Sequence, residues 1–188
     1  ETFMNNDIVT FIPARGGSKS IPQKNTKLLG GRPLLEWTIE TAKNAGLERI
    51  VVNTDDQVIE DIALKNGVEV QIRAHKLGQD STSMYELLRS EIFRMVRVPK
   101  YVLLLQPTSP FRNTNQMKIA ISFFLANVEK YDSLVSVEKV PEKYHPAQVI
   151  LSSGSNRRMA FGKVVSLKDK VKALFTGIKY TEPVPEGV

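Results

Sequence analysis

The residues best suited to chemistry lie close together near the start, in Phe11-Ile-Pro-Ala-Arg-Gly-Gly-Ser-Lys-Ser-Ile-Pro-Gln-Lys-Asn25. This stretch follows an apolar run, Ile8-Val-Thr-Phe-Ile12, and puts Gly16, Gly17, Arg15, Ser18, Lys19, Lys24 and Asn25 into one loop. Glycines without a Cβ let backbone N–H groups approach a ligand closely. Arg15, Lys19 and Lys24 add positive charge at the same place, so a polyanion such as a nucleoside triphosphate is the natural occupant. A solvated basic turn would explain a Gly-Gly pair beside one lysine. Three cations behind a strand favour a phosphate site. The spacing is not the Gly-x-x-x-x-Gly-Lys-Ser/Thr of a P-loop, and it lacks the third glycine of a dinucleotide fingerprint.

Two further groupings carry polar chemistry. Gln106-Pro-Thr-Ser-Pro-Phe-Arg112 follows the apolar run Tyr101-Val-Leu-Leu-Leu105. Its prolines stiffen the backbone under Gln106, Thr108, Ser109 and Arg112, as either a rigid turn before a helix or a ligand-facing loop. Asp55 and Asp56 follow the run Arg49-Ile-Val-Val-Asn53. They could serve Mg²⁺, which takes a few carboxylates plus phosphate oxygens. Both also fit the first turn of a helix with no ligand at all. His75 is read as a surface loop residue, and no side chain stands out as a general base.

The elements that must position these groups alternate strictly. Strands are expected at 8–12, 49–53, 68–72, 101–105 and 133–137. Helices are expected at 33–45, stopped by Gly46, at about 54–65, stopped by Asn66-Gly67, from 84 through Val96, and at 114–130. Thr54-Asp-Asp-Gln57 and Ser83-Met-Tyr-Glu86 read as capping boxes. Met84, Leu87, Leu88, Ile92, Phe93 and Val96 form the expected apolar stripe of the third helix. The continuous run at 101–105 suits a central parallel strand buried on both faces. The fold class is therefore α/β, a three-layer, Rossmann-like, mostly parallel sheet. Its ligand crevice should lie beyond the carboxyl ends of the strands. Residues 1–140 read as a nucleotide-binding α/β domain. Residues 141–188 read as a less regular arm of hairpins and a short helix, serving a subunit interface or extending the ligand site.

The chain has 188 residues, no cysteine and a formal charge of +6. Disulfides, thiolate metal sites and cysteine nucleophiles are excluded, in keeping with a cytoplasmic setting. Its basic residues are scattered outside the first loop and the last forty residues, without a long basic block, so a small anion is favoured over nucleic acid. No apolar run is long enough to span a bilayer.

The first loop resembles the Ile-Pro-Ala-Arg-Gly-Gly-Ser-Lys-x-Ile-Pro-x-Lys-Asn stretch of sugar-activating cytidylyltransferases, and Gln106 to Arg112 resembles the Gln-Pro-Thr-Ser-Pro-x-Arg of their acylneuraminate branch. Arg73-Ala-His-Lys-Leu-Gly-Gln-Asp80 is similar to the family's Arg-Pro-x-x-Leu-Ala-x-Asp segment, with Ala74 in place of proline. The resemblance covers residues 7 to about 146. It implies CTP and an acidic nonulosonic sugar of sialic, legionaminic or pseudaminic type as substrates, and CMP-sugar and pyrophosphate as products. It implies Ala14, Arg15, Gly16, Gly17, Ser18, Lys19, Lys24, Asn25, Arg73 and Asp80 at the nucleotide, with Arg15 and Lys24 neutralising charge as pyrophosphate leaves. It also implies Gln106, Thr108, Ser109 and Arg112 at the sugar, His145-Pro146 near the sugar pocket, and Mg²⁺ as cofactor. A homodimer is the expected assembly. Family members usually continue through an Asn-Gly-Ala-x-Tyr strand and a metal-binding Asp-x-Asp pair, and residues 147–188 match neither. The metal ligands are thus unassigned, with Asp55 and Asp56 the nearest candidates by strand order, though their main reading is structural. Two readings stay open, an active cytidylyltransferase or a truncated or divergent nucleotide-binding protein with weak turnover.

Overall fold

A computed structural model describes residues 7–17, 21–74, 77, 82–136 and 172–176, the last stretch as backbone alone. Six parallel strands form one sheet in the order β5-β4-β1-β6-β8-β7. They are β1 (Ile8–Pro13), β4 (Ile50–Thr54), β5 (Glu69–Ile72), β6 (Tyr101–Leu105), β7 (Ser133–Val135) and β8 (Lys172–Thr176). A small antiparallel pair, β2 (Leu28–Leu29) and β3 (Arg32–Pro33), leads into α1 (Leu34–Asn44). The other helices are α2 (Gln57–Lys65), α3 (Met84–Phe93) and α4 (Thr114–Ala126).

The apolar runs of β1, interrupted by buried Thr10, and of β6 are explained by two-sided burial. Ile8 and Ile12 face a core built with Leu35, Ile39, Ile59, Ala63, Met117, Ile121 and Phe124 from α1, α2 and α4. Val9 and Phe11 face the opposite core with Leu87, Leu88 and Ile92 of α3. Successive strand residues point to opposite faces, so a strand between two helix layers is mainly apolar on both, with buried Thr10 the polar exception in β1. Each fully buried aliphatic or Phe side chain contributes about 1.5–3 kcal/mol. The expected three-layer α/β fold is thus present.

Local signals place most boundaries. Gly46 (φ 83°) and Gly67 (φ 63°) stand just beyond α1 and α2 in the left-handed conformation that ends helices. Ser83 caps α3 through the reciprocal box, with Ser83 Oγ accepting from Glu86 N at 3.1 Å and Glu86 Oε2 accepting from Ser83 N at 2.9 Å. The box expected at Thr54 is corrected. Thr54 is consumed as the last residue of β4, and Asp56 caps α2 by accepting from Ile59 N at 3.0 Å.

Helix α3 ends at Phe93, so Phe93 and Val96 leave the expected stripe and are exposed. Helix α4 ends at Ala126, where Lys130 N and Tyr131 N turn back to Asn127 O. The expected strand series closes at 133–137, but β8 adds a strand between β6 and β7, pairing Leu103 with Leu174 and Leu134 with Leu174. The remainder of 141–188, with the expected hairpins, short helix and His145-Pro146, lies outside the described residues.

Candidate active site

Parallel register delivers the carboxyl ends of four strands to one edge. Pro13 pairs with Asn53, and Thr54 with Ile72. The loops that leave β1, β5 and β6 there enclose a cleft of about 270 Å³. Arg15, Lys24 and Asn25 line it from the first loop, Arg73, Leu77 and Thr82 from the loop after β5, and Gln106, Pro107 and Thr108 from the loop after β6. Met84 and Leu87 of α3 supply an apolar part of the wall.

The first loop is tied at several points. Ala14 N donates to Asn53 O at 2.9 Å, continuing the strand pairing one residue beyond β1. Asn25, buried at the base, donates through Nδ2 to Arg15 O at 3.0 Å and so closes the loop on itself. Leu34 N donates to Lys27 O at 2.9 Å, and Trp37 Nε1 to Leu29 O at the same distance, which anchors the far end on α1. Just before Lys24, Gln23 holds φ 52°, ψ 34°. A non-glycine residue there costs roughly 1–2 kcal/mol, and such strain clusters at functional loops.

Gly16 is required for a steric reason. Its N–H donates to Asp55 Oδ1 at 3.0 Å. A Cβ at Gly16 would overlap Asp56 Oδ2 and lie 2.7 Å from Asp56 Cβ, whereas a Cβ at Gly17 would meet nothing within 4 Å among the described residues. The carboxylates after β4 therefore shape the loop, Asp55 by accepting its N–H and Asp56 by packing on it while capping α2. As candidates for Mg²⁺ they differ accordingly, because Asp55 is exposed and Asp56 is committed to the helix. No group of three His, Cys, Asp or Glu residues that could hold a metal occurs among the described residues. A site there would rest on one carboxylate plus phosphate oxygens, a donor set that Mg²⁺ accepts.

Arg73 is nearly buried, and its guanidinium grips one residue of the neighbouring strand. Nε donates to Asn53 Oδ1 at 2.8 Å and Nη2 to Asn53 O at 3.2 Å. Burial lowers its pKa from the ordinary arginine value. Asp55 and Glu91 oppose that shift, and Arg15 adds to it. Behind Asn53, the fully buried Glu91 accepts from Asn53 Nδ2 at 2.9 Å and from Arg94 Nη1 at 2.7 Å. Sequence reasoning missed Glu91, although a carboxylate among Leu87, Leu88 and Ile92 on the apolar stripe was the available signal. The apolar wall of Leu77, Met84 and Leu87 was missed too.

Gln106 and Thr108 line the cleft, while Ser109 and Arg112 bond to the Gln106 backbone. Ser109 N donates to Gln106 O at 3.3 Å and Arg112 Nη2 to the same oxygen at 3.2 Å. Burial lowers the Arg112 pKa, and its buried Nη1 has no hydrogen-bond partner among the described residues. Ser18, Lys19, His75 and Asp80 lie outside the described residues. No helix among the described residues is long and apolar enough to cross a membrane.

Residues 9–161 match the profile of a family described as cytidylyltransferase. The chain is 36% identical over 153 residues to a CMP-N,N'-diacetyllegionaminic acid synthase of Legionella pneumophila, covering 79% of this chain and 65% of that protein. It is 34% identical over 148 residues to an N-acylneuraminate cytidylyltransferase of Escherichia coli, covering 78% of this chain and 34% of that protein. The chain thus spans from a third to just under two thirds of these relatives. A CMP:2-keto-3-deoxy-manno-octonic acid synthetase solved with CTP superposes with a TM-score of 0.58 at 21% identity, covering 70% of this chain and 52% of that one, a likeness of fold.

Proposed function

The chain belongs to the cytidylyltransferase family, and from that premise we propose that it activates an acidic nonulosonic sugar with CTP. The anomeric hydroxyl oxygen bonds to the α-phosphorus, the bond from that phosphorus to the β-phosphate bridge breaks, and pyrophosphate leaves as the hydroxyl proton passes to solvent. Catalysis of this kind is mostly positioning and charge stabilisation. The single observation that carries the reading is the cleft in which Arg15 and Lys24, Arg73, and Gln106 with Thr108 face one another from three loops.

In this reading Arg15 and Lys24 neutralise the triphosphate, joined by Ser18 and Lys19 of the same loop, with Ala14, Gly16, Gly17 and Asn25 holding its shape. Arg73 and the apolar wall of Leu77, Met84 and Leu87 receive the pyrimidine base, with Asp80 in the same segment. Gln106 and Thr108 meet the sugar, and Ser109 and Arg112 hold Gln106 in place. Bound Mg²⁺, with Asp55 as its protein ligand, would supply charge neutralisation between phosphates. Relatives named for legionaminic and N-acylneuraminic acids support a nine-carbon acid. A cytoplasmic homodimer with no nucleic-acid or membrane partner belongs to the same proposal. So does the division into a nucleotide domain (1–140) and an arm (141–188) that extends the sugar site or the dimer interface.

The test is pyrophosphate release with CTP, UTP and ATP against N-acetylneuraminic, legionaminic and pseudaminic acids, with an eight-carbon acid as control. Release that requires CTP and a nine-carbon acid is the expected result. CTP binding without release from any sugar would overturn the transfer reaction and favour a nucleotide-binding protein. Absence of CTP binding would overturn both.

A further inference from the structure

The base-side arginine does not stand alone, and what holds it is buried and charged. Arg73 docks on Asn53 through Nε and Nη2, at 2.8 and 3.2 Å. The Asn53 amide is used in both polarities. Its Oδ1 accepts from Arg73, and its Nδ2 donates to Glu91 Oε2 at 2.9 Å and to Gln71 O at 3.3 Å. Both edges of the amide are thereby assigned, since a flipped amide would turn a donor toward the guanidinium and an acceptor toward the carboxylate. Glu91 is held in turn by Arg94 at 2.7 Å, and Gln71 Nε2 donates to Glu91 O at 2.8 Å. Glu91 and Asn53 are both 0% exposed.

From this arrangement we infer that Asn53 and Glu91 form a positioning relay which fixes the Arg73 guanidinium in the cleft wall, and that preference for the pyrimidine nucleotide depends on it. The inference rests on the cytidylyltransferase reading above. A buried ion network is weak evidence for stability, because an apolar set of the same volume often serves as well. What such a network supplies is geometry. Side-on docking along the Nε–Nη2 edge sets the plane of the guanidinium before a ligand arrives, and preorganised donors lose less on binding. Asn53 also connects the two halves of the cleft. Its carbonyl accepts from Ala14 N, at the start of the phosphate loop, and from Arg73. The side chain serves the base side alone, and the backbone carbonyl serves both.

That division makes the relay testable with two probes, CTP and inorganic tripolyphosphate, which carries the charge but no base. Asn53→Ala and Glu91→Met are measured by calorimetry beside the unaltered chain, with thermal melts to follow folding. The relay requires CTP to weaken about tenfold in each variant, as for loss of a charge-assisted contact. Tripolyphosphate should stay within about twofold, and the ratio of CTP to UTP affinity should fall toward one. Parallel weakening of both probes means that the residues only support the fold, and it overturns the relay. Unchanged CTP affinity overturns it as well. If Glu91→Met does not fold, Glu91→Gln is read by the same criteria. An unaltered chain that binds CTP no better than tripolyphosphate refutes the base-reading site itself, an outcome visible before any variant is made.

Discussion

Gly16→Ala asks how tightly the phosphate loop is packed on the start of α2. The three heavy atoms nearest to a new Cβ all belong to Asp56, with its Cβ at 2.7 Å and Cγ at 2.9 Å, and Oδ2 closer still. Asp56 has to move, and it is the N-cap of α2. Losing an aspartate cap typically costs about 1 kcal/mol, and strain from misfitting one methyl in a packed site adds about 1–2 kcal/mol. The total, about 2–3 kcal/mol, corresponds to a fall in Tm of roughly 4–12 °C for a chain of this length. Gly17→Ala, where the new Cβ meets nothing within 4 Å among the described residues, should change stability by less than about 0.5 kcal/mol. The decisive step is a double-mutant cycle. Asp56→Gly removes all three clashing atoms, and glycine in place of an aspartate cap costs only a few tenths of a kcal/mol. In that background Gly16→Ala should cost less than about 1 kcal/mol, giving a coupling of about 1–2 kcal/mol. Urea and thermal unfolding followed by far-ultraviolet circular dichroism measure all four proteins. Equal costs for Gly16→Ala and Gly17→Ala, or a Gly16→Ala cost that persists in the Asp56→Gly background, would refute the steric account.

Arg15→Ala should weaken CTP binding roughly tenfold to a hundredfold through loss of one charge-assisted contact; unchanged affinity by calorimetry would count against the whole phosphate-site assignment. Asp55→Asn keeps an oxygen for Gly16 N while removing a negative charge beside the loop, so metal-free CTP binding should tighten roughly two- to fivefold. The Mg²⁺ concentration needed for half-maximal turnover should rise in the same variant, and a Mg²⁺ titration indifferent to it removes Asp55 as the anchor. Gln23→Gly relieves a left-handed residue at φ 52° but adds unfolded-state freedom, so it should leave stability unchanged or raise it by up to about 1 kcal/mol. A urea midpoint lowered by more than that amount would show that the Gln23 side chain supports the loop.

Features determined by local chemistry were legible in the sequence. The apolar runs at 8–12 and 101–105 announced buried strands, the second covered on both faces, because side chains of such a strand alternate between two cores. Ser83 and Glu86 form the cap that their spacing dictates, since both partners lie within one helical turn. The cation-rich loop and the Gln106 loop were placed at one edge of the sheet by strand order alone. Thr54-Asp-Asp-Gln57 shows where local pattern fails. The sequence allows a cap at Thr54 or Asp56, and pairing of Thr54 with Ile72 draws Thr54 into the strand and leaves the cap to Asp56. The strand order and the insertion of β8 between β6 and β7 depend on contacts between distant segments, which carry no local signal. The same holds for the site's deepest layer. Asn53 meets Arg73 twenty residues away and Glu91 thirty-eight residues away. Only the sheet and the helix packed on it bring amide, guanidinium and carboxylate together, because burial without a partner would be too costly for any of them to bear alone.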